Sequence, residues 1–281
     1  MAPKVVLITG ASGGIGLATA VLLAQQPDRF KVIATARNPS AIEKEASGNN
    51  FAVKKLDVTD DALVKEVVES VVKEYGSVDV LINNAGYGTL LSVEKMPLKQ
   101  HQDLFDTNYF GMVRMIQAVL PHMRAAKRGH IINVTSLVGV TAFPFTDAYS
   151  ASKFAVEGLS EAMAPTLSKF GIAVSLVEPG PVATNFSARA GAEKEAAGVP
   201  REDAYTAIGD AYWVNVRKSF HDIPGIMQTS EDIAEVMKKV VEDPEPHLRY
   251  QTSAFVEQQT KKKFVDPTGD EQIKQNLKSF A

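Results

Sequence analysis

The sequence predicts an α/β protein built on a doubly wound parallel sheet with helices on both faces. Three observations carry that expectation. Short β-branched runs alternate with amphipathic stretches along the first 180 residues or so, each run reads as buried on both faces rather than as strictly alternating, and the first run ends in a glycine cluster that opens a helix. Strands apolar on both faces belong to a sheet covered on both sides, and right-handed crossovers then make consecutive strands parallel.

The first strand is expected at Lys4–Thr9, followed through the glycines by a helical pattern over Gly14–Gln26. Further strands are expected at Lys31–Ala36, Phe51–Leu56, Val78–Ile82, His130–Val134 and Ile172–Val177, with helices between them at Asp60–Tyr75, Lys99–Val119 and Tyr149–Phe170. Thr59-Asp60-Asp61 marks a helix start, because a side-chain oxygen there accepts from the first free N–H groups. Pro165 lacks the N–H that the last of these helices needs, and is expected to kink or end it.

After Pro179 the pattern loosens. Residues from about 186 to 228 are rich in Ala, Gly, Glu and Lys, then carry Tyr212, Trp213 and Phe220, before a capped helix at Ser230–Val241. A long excursion after the C-terminal end of a strand is where an open α/β sheet places ligands, so this stretch is the expected substrate lid. A C-terminal extension, about 252–281, completes one expected domain over 1–281, since the pattern repeats βα units.

Composition narrows the function classes. With 281 residues and 45% hydrophobic content the chain can bury one large core. A formal charge of −3 offers no basic field for a phosphate backbone, so no nucleic-acid partner is expected. The chain has no cysteine, which removes disulfides, thiol catalysis and thiolate metal sites and fits a reducing, cytoplasmic setting. No metal is expected either: His101, His122, His130, His221 and His247 show no ligand spacing, and only His221, at the end of the excursion, is a candidate substrate contact. No apolar stretch nears the roughly 18 residues of a membrane span. Lys261-Lys262-Lys263 with Phe264 is either a weak peripheral membrane contact or a solvated tail.

The glycine turn Thr9-Gly10-Ala11-Ser12-Gly13-Gly14-Ile15-Gly16 suits a pyrophosphate, because the backbone turns tightly and the helix N-terminus presents free N–H groups to negative charge. Its spacing, Gly10-xxx-Gly14-x-Gly16, differs from the G-x-G-x-x-G fingerprint. At the end of the second strand a ribose 2′-hydroxyl usually meets a carboxylate and a 2′-phosphate a cation. Thr35-Ala36-Arg37-Asn38 supplies Arg37, either a phosphate ligand that favours NADP(H) or a solvated loop residue, and Ser12 adds a hydroxyl. Asp57, with the Val58 N–H beside it, is either an adenine contact or a turn aspartate. Asn83-Asn84-Ala85-Gly86 follows the fourth strand, where small residues let a cofactor pass.

Tyr149 and Lys153 stand one helical turn apart and share a face. A phenol serving as acid and base near neutrality needs a cation to stabilise its phenolate, and Lys153 offers one. Ser136, thirteen residues upstream of Tyr149, can bond a substrate oxygen.

Taken together, TGASGGIG at 9–16, NNAG at 83–86, Asn108, Ser136 and Tyr149-xxx-Lys153 resemble the short-chain dehydrogenase/reductase family over residues 4 to about 185, with Pro179-Gly180 and Thr184 matching its nicotinamide-side loop. The stretches 145–161 and 175–182, and Arg249-Tyr250-Gln251-Thr252, are more similar still to the type 1 17β-hydroxysteroid dehydrogenases and photoreceptor-type retinol dehydrogenases. The resemblance implies a Rossmann-type sheet of about seven strands in the order 3-2-1-4-5-6-7. It implies that Tyr149 exchanges a proton with the substrate oxygen, that Lys153 bonds the nicotinamide ribose and lowers the Tyr149 pKa, that Ser136 positions the substrate oxygen, and that Asn108 holds a water. Gly10, Ser12, Gly13, Gly14, Ile15, Gly16, Arg37, Asp57, Val58, Asn84, Ala85, Gly86, Pro179, Gly180, Val182 and Thr184 would line the cofactor. A homodimer or homotetramer is implied, with Pro165 set in one of the contact helices.

The function expected is therefore NADPH-dependent reduction of a lipophilic or bulky ketone or aldehyde, reversible in principle. The alternative is a catalytically silent NADP(H)-sensing protein. The 186–228 excursion would choose between steroid, retinoid and small carbonyl substrates, and it aligns with nothing.

Overall fold

The computed structural model describes residues 2–184, 204–222 and 225–265, together with residue 278. Its strands are β1 (Lys4–Ile8), β2 (Phe30–Ala36), β3 (Ala52–Lys55), β4 (Val80–Asn83), β5 (Gly129–Val134), β6 (Ile172–Glu178) and β7 (Arg249–Gln251). They form one sheet in the order β3-β2-β1-β4-β5-β6-β7, and every neighbouring pair is parallel. The predicted fold class and strand order are what the structure has.

Alternate residues of each strand feed opposite faces, as the period of two requires. Val5 and Leu7 of β1 join Leu81, Ile131, Val174 and Leu176 on one face, packed with α3 (Asp61–Tyr75), α5 (Gly111–Ala126) and α6 (Asp147–Ser168). Val6 and Ile8 join Val32, Ile82, Ile132 and Val177 on the other, packed with α1 (Gly14–Ala24), α2 (Ser40–Gly48) and α8 (Ser230–Glu242). That two-sided burial is why the strands read as continuous apolar runs.

Local signals set the helix ends. The Asp60 carboxylate accepts from Leu63 N at 3.0 Å, and Gly76, at φ 84°, closes α3 in the left-handed region. Thr229 and Asp232 form a reciprocal capping box at the start of α8.

The structure corrects or adds to these expectations in four places. The helix read as Lys99–Val119 is α4 (Leu98–Phe105), a π-helical turn (Asp106–Phe110) and α5. Hydrophobic periodicity runs through the extra residue of a π-turn without marking it. Helix α6 runs past Pro165 and ends at Ser168, within one turn of it. Helix α2 went unread, since only Ile42 of its nine residues is fully buried and the pattern is weak. The excursion contains a long helix, α7 (Ala204–Asp222), whereas residues 186–203 and 223–224 and the side chain of His221 lie outside the described residues. A last helix, α9 (Ala254–Val265), begins the C-terminal extension, most of whose remainder also lies outside them, as does the Phe264 side chain.

Candidate active site

Parallel pairing brings the C-terminal ends of all the strands to one edge. Adjacent β1 and β4 diverge there to opposite flanks of the sheet, leaving a crevice at the switch point of the strand order. The glycine turn leaves β1 on one side of it, and Asn83-Asn84-Ala85-Gly86 leaves β4 on the other.

These two segments are bound to each other. Asn84 Nδ2 donates to Thr9 O at 3.0 Å and Gly10 O at 2.9 Å, while the Asn84 and Ala85 N–H groups both donate to Thr9 Oγ at 3.0 Å. Gly10 is held at φ 67°, and a Cβ there would lie 2.6 Å from Ala85 Cα. Only glycine meets both demands. A Cβ on Gly16 would lie 2.5 Å from Asn84 Nδ2, so glycine is needed there for the same docking. Gly13, with no side-chain cap for α1 and open space where its Cβ would stand, leaves the helix N-terminus accessible. Ser12 is exposed beside it, and Ile15 packs partly into the core beneath. This cradle fits a pyrophosphate.

The rim is completed from other strands. Arg37 is exposed at the end of β2. Asp57 follows β3, where burial pushes its carboxyl up but the Thr59 N–H at 3.0 Å, the Thr59 hydroxyl at 2.7 Å, and the charges of Arg37 and Arg114 outweigh that and hold it below the usual carboxylate range. Val58 is buried against Gly111 at the start of α5. After β6, the Pro179 carbonyl accepts from Leu137 N at 2.8 Å, and Gly180 passes close to Val256 of α9. Val182 pairs with Gln228, which leaves the Thr184 methyl 3.4 Å from where a Gly14 Cβ would stand. The glycine turn and the loop after β6 thus face each other across the crevice.

Ser136 lies two residues beyond the end of β5 and caps a single 3₁₀ turn, Leu137–Gly139, with its hydroxyl accepting from Val138 N at 3.3 Å. It also donates to Pro179 O at 3.4 Å and lies close enough to the Tyr149 phenol to favour its ionised form. Lys153 is 5% exposed, with Nζ donating to Val134 O at 2.9 Å and standing 5.8 Å from the Tyr149 ring centroid. Burial brings its ammonium down to about 8, against a smaller opposing pull from the Glu157 charge. Burial pushes the Tyr149 phenol up to about 12, with the Ser136 hydrogen bond acting the other way. In this structure the Lys153 ammonium is engaged with the β5 carbonyl, and desolvation dominates at the phenol.

Asn108 sits inside the π-turn, fully buried, and its orientation is set by three bonds. Oδ1 accepts from Tyr87 N at 3.0 Å, while Nδ2 donates to Tyr87 O at 2.8 Å and to Ser152 Oγ at 3.1 Å. Gly86 lets it approach, since a Cβ there would be 3.0 Å from Asn108 Oδ1 and 3.7 Å from Lys153 Nζ. The π-turn itself, Tyr87 and Thr9 are the parts that sequence reasoning missed.

A family model described as short chain dehydrogenase matches residues 4–195. The chain belongs to that family. Its members are oxidoreductases that act on CH–OH and C=O groups with a nicotinamide cofactor. The chain is 40% identical over 277 residues to retinol dehydrogenase 8 of Homo sapiens, covering 95% of this chain and 87% of the relative. It is 36% identical over 284 residues to 17-beta-hydroxysteroid dehydrogenase type 1 of Homo sapiens, covering 97% and 84%. A solved short-chain dehydrogenase from Streptomyces avermitilis superposes with a TM-score of 0.79 at 29% identity, over 99% of this chain and 98% of that one. These matches bear out the resemblance to the hydroxysteroid and retinol dehydrogenase subgroup. Among the described residues no helix of this family member is long and apolar enough to cross a membrane.

Proposed function

We propose that this chain is an NADP(H)-dependent reductase of ketones or aldehydes, running in reverse on secondary or primary alcohols, with a lipophilic or bulky substrate. The observation that carries this reading is the buried Lys153 ammonium 5.8 Å from the Tyr149 ring and one helical turn from it, with Ser136 near the phenol and Gly86 of the crevice beside the Lys153 side chain. A bound nicotinamide supplies or accepts the hydride. Tyr149, protonated at neutral pH with a phenol near 12, is in the state a proton donor to a carbonyl oxygen requires. Ser136 holds the same oxygen, Lys153 favours the phenolate left behind and would bond the nicotinamide ribose, and Asn108 would hold a water between Lys153 and solvent.

Arg37, exposed at the rim, supports a 2′-phosphate over a free ribose. The glycine turn, Asp57, Val58, Asn84, Ala85, Gly86, Pro179, Gly180, Val182 and Thr184 would complete the cofactor surface. A lid over the site is supported by α7, whose buried Tyr212 lies 5.8 Å ring to ring from Phe145, four residues before Tyr149. Phe145 holds φ 64°, a conformation that a non-glycine residue adopts at a cost and that the surrounding packing must maintain. One domain over 1–281 and a homodimer or homotetramer belong to the same reading, the latter supported by exposed Phe110 and Phe154 on the outward sides of the π-turn and α6.

NADPH oxidation against ketosteroids, retinal, and aromatic or keto-ester carbonyls tests the reading. Tyr149→Phe should retain cofactor binding and lose about 10³-fold or more in kcat. Substantial activity in that variant would overturn the mechanism, and cofactor binding by the parent without turnover on any carbonyl compound would favour a silent sensor.

A further inference from the structure

One turn beyond Lys153 on α6, Glu157 is buried at 6% exposure in a cluster that joins three chain segments. Its Oε1 accepts from Thr135 Oγ at 2.6 Å, the residue just before Ser136, and its Oε2 accepts from Arg249 Nε of β7 at 3.3 Å. Arg249 Nε also lies 3.4 Å from Glu178 Oε1, at the end of β6 immediately before Pro179, while its Nη2 reaches Glu161 Oε2 at 2.9 Å. Gln251 Nε2 donates to the second Glu178 oxygen at 2.8 Å. A single guanidinium is thus shared among three carboxylates, two of them buried.

We propose that Glu157 is a positioning residue for the hydride-transfer reaction: its carboxylate, clamped by Thr135 and Arg249, keeps the neighbouring Lys153 ammonium charged and fixes the segment that carries Ser136. This rests on the assignment of Tyr149 and Lys153 as the acid–base pair. Thr135 donates to Glu157, and the next residue touches the Tyr149 phenol, so the carboxylate is two side chains from the reacting oxygen. Along the helix it is the charge that opposes the desolvation of Lys153. Among the described residues, the groups facing Glu157 are Arg249 from β7, Glu178 from β6, Thr135 after β5 and Lys153 one turn back on α6, with Glu161 of α6 sharing Arg249. Burial, reinforced by the Glu178 charge, pushes the Glu157 carboxyl up to about 7. Glu178 is raised as well, by burial. Glu157 therefore exchanges its proton within the range where the enzyme would work.

The test is the pH profile of kcat/KM from pH 6 to 10, with NADPH and the carbonyl compound of the panel above that the parent reduces fastest. Loss of the Lys153 charge sets its alkaline limb. Glu157→Gln is expected to move that limb down by about half a unit to one unit. Glu178→Gln disturbs the same buried cluster but keeps the carboxylate beside Lys153 and removes a charge that raises it, so the limb should stay in place or move slightly up. Should Glu157→Gln not fold, Arg249→Met forces the two buried carboxyls to hold protons longer and should move the limb the same way. A second readout needs no turnover. A carboxyl raised from 4.5 to about 7 on folding opposes stability increasingly as pH rises through that interval. In cofactor-free protein the Tm of Glu157→Gln relative to the parent should accordingly climb from pH 5 to 8. An unmoved limb in both Glu157→Gln and Arg249→Met, or equal shifts in Glu157→Gln and Glu178→Gln, overturns the proposal. A parent with no turnover overturns the acid–base assignment together with it.

Discussion

From β1 to the end of α3 the polar side chains fully buried in the protein are three threonines, Thr9, Thr19 and Thr35, whereas from β4 to β7 they include Asn83, Asn108, His130, Asn133, Lys153, Glu157 and Glu178. The threonines satisfy themselves on backbone: Thr19 donates to Ile15 O at 2.7 Å and Thr35 to Ile8 O at 2.9 Å. In the second half the side chains bond one another, as in the row where Asn83 donates to Asn133 at 2.9 Å and Asn133 to Ser160 Oγ at 2.9 Å. One half is shaped by backbone sterics and small residues, the other by ionisable and amide groups that depend on partners. The first should fail on added volume, the second on changes of charge and pH.

The largest effect that would test this contrast is Gly10→Val. A branched side chain at φ 67°, with its Cβ 2.6 Å from Ala85 Cα, should cost about 3 kcal/mol or more of stability and roughly 100-fold in NADPH affinity. Urea melts and fluorescence titration measure both, and a tolerated valine would mean that the turn is not built by close backbone contact.

Next comes acid sensitivity through His130, buried on β5 with Nε2 2.9 Å from Ser175 Oγ. Burial, aided by the Lys4 charge, lowers its pKa from 6.5 to about 4. A depressed folded pKa means that the stability is fully present above 6.5 and is lost as pH falls toward 4, about 2 kcal/mol of it by pH 5. His130→Gln should flatten this slope in denaturant melts between pH 7 and 5. An unchanged slope would remove the titratable character assigned to this half.

The smallest effect concerns the rim. Arg37→Ala should weaken NADPH binding about tenfold while leaving NADH nearly unchanged, a change of about 1.4 kcal/mol in discrimination. Equal losses for the two cofactors in isothermal titration would assign Arg37 to general electrostatics, including the support it gives to the low pKa of Asp57.

The same division separates what was legible from what was not. The limits of the first six strands were read to within about two residues, because two-sided burial writes itself as an apolar run; β7, half-buried at all its positions, has no such run and was not placed. The glycine turn was legible because its demand is local: a positive φ and a close approach admit few residues. Asn84 was read as a cofactor neighbour; its bonds to Thr9 and Gly10, the latter across 74 positions, are marked by no local pattern. The π-turn around Asn108 was hidden because one inserted residue does not disturb hydrophobic periodicity enough to register.

By itself the sequence determined the parallel α/β sheet, the cradle at the start of α1 and the placing of Tyr149 and Lys153 on one helical face, since each follows from steric and periodic rules over a few consecutive residues. Tertiary structure alone decided that the Lys153 ammonium lies on the Val134 carbonyl, and that Arg249 reaches Glu157 across 92 positions to hold two buried carboxylates. The reason is physical: burying a polar or charged group is tolerable only with a partner, and strand order and register decide which partner arrives.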